Sequence, residues 1–154
     1  MIAKRIYNAA VISSVLDHRL IKRHFRGDVS DDVEYPIIDS IYYIAVYIDD
    51  EIVGVFLGVV ASPIILNGHM AVLPKYWGGT ATEAGKLAIE WVFTNTPTLK
   101  ITGTTPASNK AAIRYNLSLG GLIEGVNKNS ILEKGILADQ FYFGLEKARW
   151  EWTQ

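Results

Sequence analysis

Residues 71–93, AVLPKYWGGTATEAGKLAIEWVF, change periodicity at a pair of glycines, and no other feature constrains the fold as much. Before Gly78 and Gly79 the chain is an apolar strand-like run ending near Leu73. After them Ala84, Leu87, Ala88, Trp91 and Val92 recur on one helical face, with Thr82, Glu83, Lys86 and Glu90 elsewhere. A second strand, LKITGT, follows the helix, so strand, helix and strand imply a crossover joining parallel neighbours. Glycine tolerates positive φ and lets a ligand approach the main chain. A helix beginning there presents unpaired amides and partial positive charge, which suits a phosphate. A tight structural turn accounts for the same two residues, so the pair alone does not decide.

The remaining segments extend this unit. The stretch NAAVISSVLDHRLIKRHFRG carries Val11, Val15, Leu16 and Leu20 at helical spacings and predicts one helix ending at Gly27. IYYIAVYI, the turn DDE and IVGVFLGVV predict a hairpin, because aromatic and β-branched residues fill both arms. A further helix is expected from about Ser108 to Gly120, and GLIEGVNKN and DQFYFGLEKARW predict two closing strands. The fold class is mixed α/β, with residues 1–154 forming a single domain and a sheet that grows by hairpins apart from the crossover. A hydrophobic share of 49% against 20% charged residues is that of a folded chain.

Composition also removes function classes. Without cysteine there is no disulfide, thiolate metal site or cysteine nucleophile. A net charge of -1 gives no global reason to expect nucleic acid or an anionic membrane. Ile52 to Leu66 is too short to span a bilayer and holds Pro63, and the N-terminus is read as carrying no signal peptide. The reading is therefore cytoplasmic.

VLPKYWGGTATEA resembles the acetyl-CoA pyrophosphate loop of the GNAT acetyltransferases, in particular the RimJ/RimL-like branch. NKAAIRYNLSLGG is similar to the family's later helix, with Asn109, Ala112 and Gly120 at matching offsets, and DQFYFGLEKARWEW to the branch's final strand. The order of elements fits along nearly the whole chain, and the N-terminal quarter fits by pattern alone. The region NTPTLKITGTTPASNKAAIRYN also looks similar to compact GNAT-like proteins of tailed bacteriophages, which would place the protein in a host cytoplasm. In two places the chain departs from the family: Gly78 and Gly79 are adjacent where the usual loop has one more residue between its glycines, and Asn116 stands where many members have a tyrosine acid. Tyr115, one position earlier, is turned about 100° around the helix and reads as a packing residue.

The resemblance implies a GNAT fold and direct transfer of an acetyl group from acetyl-CoA to an amine, without a metal or a covalent enzyme intermediate. Strand amides near Ala71, Val72 and Leu73 would hold the pantetheine and polarise the thioester carbonyl. Gly78, Gly79, Thr80 and Ala81 would take the pyrophosphate, with Asn109 and Lys110 on the pantetheine arm or the CoA phosphates. Ser108 and Asn109 serve equally as helix caps. An alkyl ammonium of pKa roughly 10 must lose a proton before it attacks, and neutral imidazole accepts one near pH 7. His69 is accordingly the first candidate base, set against a purely structural strand-edge histidine, with Glu124 and Asp39 behind it. Arg19, Lys22, Arg23 and Arg26 form a basic stripe and Asp28, Asp31, Asp32 and Glu34 an acidic group, each first of all a solvated surface. The expected partner is an amine, protein or small molecule, with no nucleic acid or membrane, and monomer and homodimer both remain open. A silent relative that keeps the fold as a binding or assembly module is the competing class.

Overall fold

The computed structural model of the chain describes residues 1–26 and 33–152. Strands β1 (Ile2–Arg5), β2 (Ile41–Ile48), β3 (Glu51–Ser62), β4 (Ile65–Val72), β5 (Lys100–Pro106), β6 (Leu122–Glu133) and β7 (Ile136–Glu146) form one sheet in the order β1-β2-β3-β4-β5-β7-β6. Helices α1 (Ala9–Leu16), α2 (Arg19–Arg26), α3 (Gly79–Asn95), α4 (Lys110–Ser118) and α5 (Lys147–Trp152) flank it.

Among the described residues only β4 and β5 run parallel, as the crossover through α3 demands. Every other neighbouring pair is antiparallel. The hairpin expected around DDE closes with Asp49 and Asp50 at φ 45° and 66°, the positive pair that a two-residue turn needs to follow the strands' twist. α3 ends where Thr96, extended ahead of Pro97, returns both its amide and its hydroxyl to the Val92 carbonyl.

Side chains alternate across the sheet and supply two cores. Leu66, Val72, Ile101 and Leu145 pack with Ala84, Ala88, Val92 and Phe93 on the α3 face. Ala45, Val55 and Ala71 pack with Ile12, Val15, Leu16 and Ile21 on the α1–α2 face. β4 serves both, its even-numbered residues facing α3 and Ala71 the other side.

Two local features differ from expectation. The single helix expected over residues 8–27 is two. Its first part ends at Asp17, whose amide returns to the Ser13 carbonyl, and His18 starts a new helix by accepting the Leu20 amide on Nδ1. The edge strand β1 and the terminal helix α5 are additional elements. Lastly, the side chains of Arg23 and Arg26, together with Asp28, Asp31 and Asp32, lie outside what is described.

Candidate active site

The parallel ladder between β4 and β5 has three rungs, Ile65↔Lys100, Leu66↔Ile101 and Asn67↔Thr102, and then the strands part. At the next level two glycines still let the backbones touch, since a Cβ on Gly103 would fall 2.8 Å from the Gly68 carbonyl oxygen. Beyond that level a cleft of about 720 Å³ opens between the strands and runs to the start of α3. That lies inside the roughly 300–1,000 Å³ typical of small-molecule sites.

Hydrogen-bond parity decides which main-chain groups face it. Leu73 donates its amide to the Val53 carbonyl at 2.9 Å. In an antiparallel ladder alternate residues bond the same neighbour, so Leu73 and Ala71 face β3 while Met70 and Val72 face the gap. This corrects the sequence reading for Ala71 and Leu73, whose amides belong to the β3 ladder. On β5 the Ala107 amide bonds Asp139 and the Lys147 amide bonds the Leu99 carbonyl, so odd-numbered residues face β7 and the Thr104 amide faces the gap. The Val72 carbonyl is already engaged, accepting the Trp77 indole N–H at 2.8 Å. Sequence periodicity gave no sign of that contact, because it joins a strand end to a loop ring through a turn.

α3 begins directly at the glycines. Gly78 has φ 105° and caps the helix without a side chain. The Ala81 and Thr82 amides return to the Gly78 carbonyl, and those of Gly79 and Thr80 have no acceptor among the described residues. A Cβ at Gly78 or Gly79 would meet nothing within 4 Å, so the space before the helix is open. Gly78, Ala81 and Thr82 line the cleft. The preceding turn is held from outside, since Glu51 at the hairpin tip accepts from Lys75 and Tyr76, and the Lys75 ammonium draws the Glu51 carboxyl below its usual range.

His69 lines the cleft and, by strand alternation, projects to the face that carries α1 and α2. Burial pushes its pKa below the ordinary value, so the ring is neutral at pH 7. Leu20 and Ile21 of α2 close the same side of the cleft. Glu124 is not brought to the cleft. It sits on β6 with its carboxylate against Gly144, accepting from Lys100 at 2.6 Å. Asp39 lies in the exposed turn before β2 and also lines none of it.

Asn109 lines the cleft, but its side chain accepts the Ala112 amide at 3.1 Å and caps α4. Lys110 donates to the Ala107 carbonyl at 2.7 Å, folded back on its own turn. Tyr115 packs over Gly85 and donates its hydroxyl to the Ala81 carbonyl at 2.9 Å, and burial raises its pKa far above the ordinary phenol value. A phenol held in that way joins α4 to α3 and is no acid at neutral pH. Asn116 donates to the Thr105 hydroxyl oxygen at 2.9 Å, and Thr105 is a buried cleft residue that sequence pattern did not single out.

No protein-family model matches the sequence, and no curated protein matches it. Solved structures do. A spermidine N-acetyltransferase from Vibrio cholerae, in complex with CoA and spermine, superposes with a TM-score of 0.79 over 97% of this chain and 96% of its own, at 13% identity. A point mutant of that enzyme gives 0.79 over 97% of both chains at 12% identity. A GNAT-family acetyltransferase from Streptococcus pneumoniae gives 0.61 over 71% of this chain and 68% of its own, at 19% identity. Likeness at such low identity speaks to architecture, and with the splayed parallel pair and the crossover helix it leads to one statement: the chain has the fold of the GNAT acetyltransferases.

Proposed function

We propose that this protein is an N-acyltransferase that moves an acetyl group from acetyl-CoA to an amine. The observation that carries this reading is a set of main-chain donors, without acceptors among the described residues, placed along one cleft and at the helix start to which it runs. The Met70 and Val72 amides point in from β4, and the Gly79 and Thr80 amides stand at the uncapped start of α3. The first pair suits an amide-bearing arm and a thioester carbonyl, the second a pyrophosphate. The residues fit the group, because open space stands before both glycines and the cleft is long enough to reach from them to His69.

In this reading the Met70 amide holds the thioester oxygen and His69, kept neutral by burial, takes the acceptor's proton on the α1–α2 side. The nitrogen–carbon bond forms as the carbon–sulfur bond breaks, and the pair leaves on sulfur. The acceptor is a primary amine, of a protein N-terminus, a lysine or a small molecule, and Leu20 and Ile21 of α2 form part of the cleft wall on its side. The loop WGGTATEA supports the RimJ/RimL-like branch, and the acetyl-CoA requirement goes with a cytoplasmic site of action.

Thermal unfolding with and without acetyl-CoA tests the proposal, because a ligand bound only by the folded state raises the melting temperature. Wild type is expected to shift and to release CoA thiol when offered a panel of primary amines. Gly79→Val, which places a branched side chain over the helix start, is expected to lose the shift. Stabilisation without product across the panel would favour the silent binding module, and no stabilisation at all would remove the coenzyme from the site.

A further inference from the structure

Two polar side chains are buried among the described residues, Thr98 and Thr105. Thr98 is satisfied through a hydroxyl pair with Thr96 at 2.7 Å, in which either oxygen can donate. Thr105 is not. Its oxygen accepts from Asn116 Nδ2 at 2.9 Å, which turns the hydroxyl proton elsewhere, and that proton has no acceptor among the described residues. A threonine that is 5% exposed, with a proton that meets no acceptor among the described residues, asks what it was placed to meet.

Register says where it stands. Counting three residues past the last rung, Asn67↔Thr102, brings β4 to Met70 and β5 to Thr105. Parallel strands rise equally, so both lie about 10 Å beyond the point of separation, on opposite banks of the cleft. The Met70 amide faces the gap from one bank, and the Thr105 side chain lines it from the other, beside α4. Asn116 occupies the α4 position where a tyrosine acid is often found in the family resembled, and here it spends an amide hydrogen on orienting a threonine.

We propose that the Thr105 hydroxyl, oriented by Asn116, donates a hydrogen bond to the sulfur that leaves the thioester. The inference rests on the acyl-transfer reading and assigns it a residue. As the acceptor nitrogen bonds the carbonyl carbon, the carbon–sulfur bond breaks and its electron pair goes to sulfur. The nitrogen's proton passes to His69. Thr105 keeps its own proton and shares it with the thiolate, which later takes a proton from solvent. Thr105 is thus a catalytic residue that touches a reacting atom, and Asn116 a positioning residue.

The test reads the sulfur directly. Free CoA is bound to wild type, Thr105→Val, Thr105→Ser and Asn116→Asp, and the thiolate's ultraviolet absorbance is followed against pH. A charge-assisted hydrogen bond lost from sulfur should raise the bound thiol's pKa by about one unit in Thr105→Val, and Thr105→Ser should restore it. In Asn116→Asp the carboxylate accepts the threonine proton and draws it out of the cleft, so the thiol should titrate as high as in Thr105→Val. That variant also decides the matter if Thr105→Val does not fold. Turnover of acetyl-CoA should fall about tenfold in Thr105→Val at unchanged CoA affinity. If wild type binds CoA and its thiol titrates as in Thr105→Val, the role of Thr105 is overturned and the acyl-transfer reading stands. If wild type binds no CoA, both fall.

Discussion

His69 shows how burial shifts the charge of a residue that lines the cleft. Its pKa is lowered in the folded chain because the charged ring would lose hydration, while the unfolded chain keeps a value of about 6.5. The unfolded state therefore binds more protons as pH falls below about 6.5, and folding stability declines from there down through the folded pKa. His69→Gln removes the group from that balance. Denaturant titrations at a series of pH values between neutrality and moderate acid should show a shallower loss of stability in the variant than in wild type. Equal slopes would mean that the ring is as well solvated folded as unfolded and that burial does not shift its protonation. Tyr115 makes the complementary point, since its phenol is pushed the other way and tied to the Ala81 carbonyl, so two titratable groups on one cleft are separated into a neutral ring and a fixed strut.

At the level of elements the start of α3 carries opposite demands at adjacent positions. Gly78 sits at φ 105° and ψ -141°, a conformation that a side chain cannot take without strain, although a Cβ would meet no neighbour. Gly78→Ala should therefore cost about 1–3 kcal/mol, all of it from the backbone. Gly79 is helical and open, so Gly79→Ala should stabilise the free chain by about 0.5–1 kcal/mol while weakening coenzyme binding, because its methyl group stands where phosphate would approach. Denaturation curves and a CoA titration of both variants read the two effects separately. The glycine pair was legible because periodicity changes across it, and so was the hairpin, because DDE interrupts two β-branched runs. The strand β1 was not, since four residues carrying Lys4 and Arg5 show no alternation long enough to read. Nor was the break at His18, where a side-chain nitrogen replaces the usual capping oxygen within an otherwise helical pattern. For the candidate site, the change of period pointed to Gly78 and Gly79 and imidazole chemistry to His69, whereas the side to which the Ala71 and Leu73 amides turn, the Trp77 contact and the Thr105 hydroxyl depend on strand parity and on contacts between distant elements.

On the scale of the whole molecule, the sheet is two antiparallel halves, β1–β4 and β5–β7, joined by a three-rung ladder and bridged by α3. Each half keeps its antiparallel pairing up to the cleft, so the separated edges of β4 and β5 leave folded backbone without a strand partner in the interior of the sheet, as β1 and β6 do at its ends. An extended, amide-bearing ligand entering there completes the sheet, as an added strand would. This makes a residue-by-residue prediction for amide hydrogen exchange. In the free protein Ala71 and Leu73, bonded into the β3 ladder, should exchange slowly, and Met70, Val72 and Thr104 quickly. With saturating CoA the Met70 and Val72 amides should gain protection together with Gly79 and Thr80, while Ala71 and Leu73 stay as they were. Protection that rose evenly along residues 70–73 would indicate general tightening of the fold, and the proposal that the ligand lies along the open edge of β4 would have to be given up.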